Sequence, residues 1–232
     1  MKLAAMQPYL FPYIGYFQLI GAVDLYISDD DVQYIRRGWI GRNRILSGGR
    51  PAYFIFSVAR DAHTRKINER VFSEEHGMEK KKFLRALENY RRAPCFEEVF
   101  ELVSGIMRCD DRNVAAFVLN SIREVCRYLE IETPIQVGSQ VECDRSVAGQ
   151  DRVIDLCLRS GADAYINSIG GVELYSREEF NRRGLRLQFL KTRELRYKQF
   201  GNPFVSGLSI IDVMMFNRKD EIRLFLDQYD LV

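Results

Sequence analysis

Two prolines near the start of the chain, Pro8 and Pro12 in the run MQPYLFPYIGYFQLI (residues 6–20), restrict what can form there. Neither can donate to a strand ladder or sit inside a helix, and each pushes the residue before it away from helical backbone. The apolar run Leu3, Ala4, Ala5 therefore reads as an opening strand that ends by Pro8. Pro12 suits the first turn of a helix, where its missing N–H costs nothing. These constraints predict strand, turn, then helix over residues 12–21. Residues 22–28, AVDLYIS, are a second apolar, β-branched and aromatic run, ended by Asp29, Asp30 and Asp31. Strand, helix and strand in so short a span make a βαβ unit, a parallel pair with the helix crossing over. Ligands in such sheets bind beyond the C-terminal strand ends, and a helix N-terminus there suits phosphate. Residues 7–9 and 29–31 are thus expected at one binding edge.

The first stretch also carries the polar tips of Gln7, Tyr9, Tyr13, Tyr16 and Gln18. Each needs a partner or water if buried, so the segment is either a ligand pocket or a packed structural turn. Downstream, Arg36, Arg37, Arg42 and Arg44 surround Trp39, the only tryptophan, with Asn43 between two of the arginines. Guanidinium groups grip phosphate or carboxylate, and an indole stacks on a flat ring or sugar face. The plainer reading is a solvated basic loop anchored by Trp39. Residues 47–51 read as a turn and 52–58 as a strand.

Residues 79–92, 97–108 and 111–130 show helical periodicity and form a helical block. The chain then returns to α/β, with a strand at 135–141 and a helix at 150–160. A short strand at 164–166 runs into Asn167, Ser168, Ile169, Gly170 and Gly171, again a strand end, where a glycine pair lets backbone approach a ligand. A helix at 176–183, a strand at 185–190, a basic loop at 191–199, and two helices, the helix-like SIIDVMMF within 206–217 and an amphipathic one at 220–227, complete it. Ser209 and Asp212 read as the N-terminal cap of the first of these two helices. The expected architecture is α/β: a parallel-sheet, Rossmann-like core with an inserted or appended helical block. Residues 1–75 and 133–232 are its two halves, residues 76–132 are the block, and all form one compact domain.

A net charge of +2 gives no reason to expect nucleic acid. No run approaches the ~20 apolar residues needed to span a bilayer. The first residues are too short and too proline-interrupted for a secretory signal. Five scattered cysteines with no CxxC pair suggest reduced thiols and a cytoplasmic home. With His63 and His76 the only histidines, no zinc ligand set is present. A magnesium ion held by Asp30 with Asp29 or Asp31 is the one metal site left open.

QPYLFPYIGYFQLI at 7–20, DDVQYIRRGWIGRNRIL at 30–46, YINSIGG at 165–171 and LSIIDVMMFN at 208–217 resemble the WbqC-like family of bacteria. The resemblance implies a cytoplasmic protein linked to making surface polysaccharide such as O-antigen. Residues 11–20 also look like a degenerate HxGH signature of the nucleotidylyltransferase α/β superfamily. Pro12 and Gly15 match it, while Tyr13 and Tyr16 stand where its histidines would be, and a phenol brings no positive charge. The combined reading is a transferase binding a nucleotide or nucleotide-activated sugar at the C-terminal ends of the first two strands. Asp30, Tyr16 and Tyr13 are its expected catalytic residues. Gln7, Tyr9, Gln18, Arg37, Trp39, Arg42, Asn43, Arg44, Asn167, Ser168, Gly170 and Gly171 are its expected binding residues. Acyl or aminoacyl transfer to an amino sugar, and a non-enzymatic scaffold docking through the helical block, are the alternatives.

Overall fold

The computed structural model describes residues 1–201 and 203–232. Its opening follows the proline spacing. Strand β1 (Lys2–Met6) stops before Pro8, helix α1 (Ile14–Gly21) starts after Pro12, and β2 (Leu25–Ser28) returns parallel to β1. β2 begins later than the apolar run because Ala22 caps α1 and the Asp24 carboxylate accepts the Lys2 N–H at 2.7 Å.

Four further strands join these two: β5 (Ile135–Val137), β6 (Ala164–Ser168), β7 (Arg186–Thr192) and β8 (Tyr229–Leu231). They lie in the order β5-β2-β1-β6-β7-β8, parallel throughout except where β8 runs against β7. The chain builds outward from β1 on one side and from β6 on the other. The reversal falls between β1 and β6, the place where an open α/β sheet leaves a crevice for ligands.

Alternation along the strands sends side chains to both faces. Tyr26, Ile166 and Leu190 join Phe17, Leu19 and Ile20 of α1 in the larger core. Leu3, Ala5, Ile27, Tyr165, Leu187 and Phe189 meet α5 (Gly149–Arg159) and α6 (Arg177–Arg182) in the smaller one. The helical block is α2 (His76–Leu87), α3 (Phe96–Met107) and α4 (Val114–Tyr128). It is inserted before β5, and its Val99, Val103, Phe117 and Ile122 belong to the same larger core as α1.

Three segments differ from expectation. The basic segment is a loop only as far as Gly41: Arg42 and Arg44 lie on β3 (Arg42–Ser47), which forms an antiparallel hairpin with β4 (Arg50–Ile55). Beyond Val137 the expected strand becomes a short helical turn. The short β8 edge strand was not foreseen. Helix α7 (Ile210–Phe216) starts directly after Ser209, as the helix-like run 209–216 predicts, and α8 (Lys219–Leu226) follows it. Ser209 does cap α7, but the Asp212 carboxylate is fully buried and accepts hydrogen bonds from Tyr90, Tyr197 and Gln199 instead. Among the described residues no helix is long and apolar enough to cross a membrane.

Candidate functional site

The site starts from the turn between β1 and α1. Phe11 is fully buried with φ 44°, left-handed backbone that a side chain makes unfavourable. Its carbonyl accepts from Asn43 Nδ2 at 2.7 Å and from Ser209 Oγ at 2.8 Å. Asn43 Nδ2 also donates to the Leu10 carbonyl, and Asn43 Oδ1 accepts the Arg44 N–H. The Ile210 N–H reaches the Pro12 carbonyl at 2.8 Å. The turn is therefore gripped from β3 on one side and the start of α7 on the other.

Behind this grip lies a cavity of about 770 Å³ at the C-terminal edge of β1 and β6. That volume lies in the usual range for small-molecule sites. Gln7, Tyr9 and Tyr13 line it from the turn, Ser168 and Gly170 from the end of β6, and Trp39, Asn43 and Arg44 from the hairpin side. Met6, Pro8, Ile35, Gly38, Ile40 and Gly207 complete the wall. Gly207, in left-handed backbone ahead of α7, is the least foreseeable member, because it comes from the far end of the chain.

Among the described residues Arg44 is the one charged group in that wall, and no carboxylate lines it. The guanidinium sits 5.5 Å from the centre of the Trp39 ring and donates to the Gly207 carbonyl at 2.9 Å. Its Nε is buried without a hydrogen-bond partner among the described residues. Arg42 lies outside the wall but packs over both Trp39 and Tyr53, at 5.5 and 5.4 Å. Trp39 is 43% exposed, so part of the indole is open to a ligand. Tyr9 Oη accepts the Tyr13 N–H, and burial pushes the Tyr9 phenol well above its usual range.

Other expected residues lie elsewhere. Tyr16 is buried, donates to the Gln7 carbonyl at 3.3 Å and packs against Tyr9, Phe17 and Tyr26. Gln18 holds the carbonyls of Phe225 and Gln228 and accepts from Thr192, which ties α1 to the chain end. Arg37 is exposed and outside the wall. Asn167 donates to Tyr165 and Tyr175. A Cβ on Gly171 would lie 2.7 Å from Asn167 Oδ1, so this glycine makes room for an internal contact.

Asp30 departs furthest from its expected role. Its carboxylate is 3% exposed and accepts from both the N–H (2.7 Å) and the hydroxyl (2.8 Å) of Ser139. Asp31 pairs with Arg145, Arg152 and Lys66, and Asp29 pairs with Arg152 at 2.9 Å. Burial raises the Asp29 carboxyl to about 6. The acidic triplet braces the β2–β5 side of the sheet. The cavity opens between β1 and β6, not at the ends of the first two strands as expected. A magnesium ion at the triplet would have to displace Ser139, Arg145 and Arg152 from these carboxylates.

The fold and the cavity define an open α/β protein with a cationic, aromatic site at the point where its strand order reverses. The chain belongs to the WbqC-like protein family, whose profile matches residues 7–224. It is also similar to the uncharacterized protein Rv1507c of Mycobacterium tuberculosis (strain ATCC 25618 / H37Rv), at 28% identity over 221 residues, covering 93% of each chain. No solved structure matches it.

Proposed function

We propose that this protein is a transferase of bacterial surface polysaccharide (O-antigen) biosynthesis that holds a nucleotide-activated sugar in the cavity between β1 and β6. One observation carries the reading: a guanidinium and a partly open indole share a cavity where, among the described residues, no carboxylate lines the wall or pairs with that guanidinium. A diphosphate supplies the negative charge such a wall lacks, and a base or sugar face suits Trp39. Tyr13 and Ser168 offer hydroxyls to phosphate oxygens without adding charge. A Cβ on Gly170 would meet nothing nearby, so that backbone is open to close approach. The polysaccharide setting rests on family membership. All five cysteines are free, which suits a cytoplasmic site of action.

Calorimetry with UDP- and dTDP-sugars, with and without magnesium, tests this reading. Binding should weaken at least tenfold in Arg44→Ala and in Trp39→Ala. Absence of binding to the unaltered protein at millimolar ligand overturns it.

A further inference from the structure

A second cavity, of about 460 Å³, adjoins the first, and Tyr13 and Gly207 line both. It sits where the chain leaves β7, against the first turn of α1 and the segment leading into α7. Its character differs. Its arginines are paired with acids: Arg193 with Asp230 at 2.6 Å and Arg196 with Glu194 at 2.5 Å. The ring of Tyr197 meets Phe204 edge to face, with centroids 5.0 Å apart. The Tyr197 hydroxyl is taken by Asp212, whereas the hydroxyls of Tyr13 and Ser206 make no hydrogen bond among the described residues.

A charge-balanced hollow with aromatic walls and open hydroxyls disfavours an ion and suits a ring that is apolar on its C–H face and polar at its edge. The geometry points to a binding subsite for a neutral sugar here, next to the phosphorylated ligand, with Tyr13 touching both. This inference rests on the proposed reading of the first cavity and adds the class of the second ligand. Two adjoining subsites, one cationic and one charge-balanced, are what a protein needs to hold a charged donor and an uncharged acceptor together.

Saturation-transfer NMR on the full chain, with neutral methyl glycosides at millimolar concentration, tests it. Glucosamine, glucuronate and UDP serve as charged comparisons. Methyl glycosides should receive saturation from the unaltered protein and from Arg44→Ala, and should lose it in Ser206→Trp, which fills the hollow from an exposed position. Phe204→Ala, which removes the aromatic wall, should also lose it, and serves if Ser206→Trp does not fold. UDP should show the reverse pattern, lost in Arg44→Ala and kept in Ser206→Trp. Glycoside signals that are absent from the unaltered protein, that persist in the folded wall variants, or that are matched by glucosamine and glucuronate overturn the subsite. Loss of the UDP signal alone from the unaltered protein strikes the first cavity's reading and leaves the glycoside result to stand on its own.

Discussion

The ring of Tyr13 occupies the space that a side chain at Gly15 would need: a Cβ there would lie 2.4 Å from the ring and its hydroxyl. The glycine lets the phenol fold back along α1, between the two cavities. Gly15→Ala should force the ring away, while the helix itself gains up to ~1 kcal/mol from the better helix former. The expected outcome is a protein of unchanged or higher melting temperature whose nucleotide-sugar affinity falls about tenfold, an effect of roughly 1.4 kcal/mol. Adding Tyr13→Ala to it should cost little more, since both changes remove the same contact. Calorimetry on the single and double variants measures this, and an unaltered affinity in Gly15→Ala rejects it.

Asn43 lines the cavity, yet its amide is fully engaged in holding the left-handed turn at Phe11. Asn43→Ala takes this donor from the Leu10 carbonyl, leaves the Phe11 carbonyl with Ser209 Oγ alone, and should lose about 1–3 kcal/mol of stability. Urea titration reads this directly. A loss under 1 kcal/mol would show that the turn holds its shape without the side chain.

Asp30 predicts a different pattern from a catalytic carboxylate. Asp30→Ala removes both contacts to Ser139 and should cost about 1–3 kcal/mol of stability. Ligand affinity of the folded variant should match that of the parent. A stable variant with abolished affinity would return Asp30 to the site.

His76 is buried between Phe72, stacked at 4.3 Å, and the edges of Phe56 and Phe117, with neither ring nitrogen hydrogen-bonded among the described residues. Burial lowers its pKa to about 4, and the charges of Lys80 and Arg112 act in the same direction. With the folded value below the unfolded one, the unfolded chain takes the proton first as pH falls. The contribution is complete above pH 6.5 and drains away toward pH 4, by up to about 3 kcal/mol. Asp29 works oppositely: its folded value is raised, so its contribution is present at low pH and lost as pH rises through about 6. Denaturation of the parent and of His76→Phe between pH 4 and 7.5 separates the two. The difference between the proteins should steepen below pH 6.5, and a flat difference contradicts the assignment.

Much of the fold was legible because local rules govern it. Proline placement marked the β1–α1 turn, and the apolar run ending in aspartates marked β2. Periodicity marked α2 to α4. Strand β3 was hidden because Arg42 and Arg44 alternate with Asn43, a polar residue buried for the sake of carbonyls some thirty positions earlier. Which strand end faces the cavity was not readable either. It depends on β6 pairing beside β1, a long-range choice that no short motif encodes. Asp30 misled for the same reason, since its partner Ser139 is remote in sequence.

The hydrogen bond from Ser209 to the Phe11 carbonyl has a consequence for biosynthesis. The turn around Phe11 is synthesised 198 residues before the clasp that sets its shape. A polypeptide released before position 209 would carry the turn without the hydrogen bond that grips it from the start of α7. Termination before that position should therefore leave the turn gripped from β3 alone.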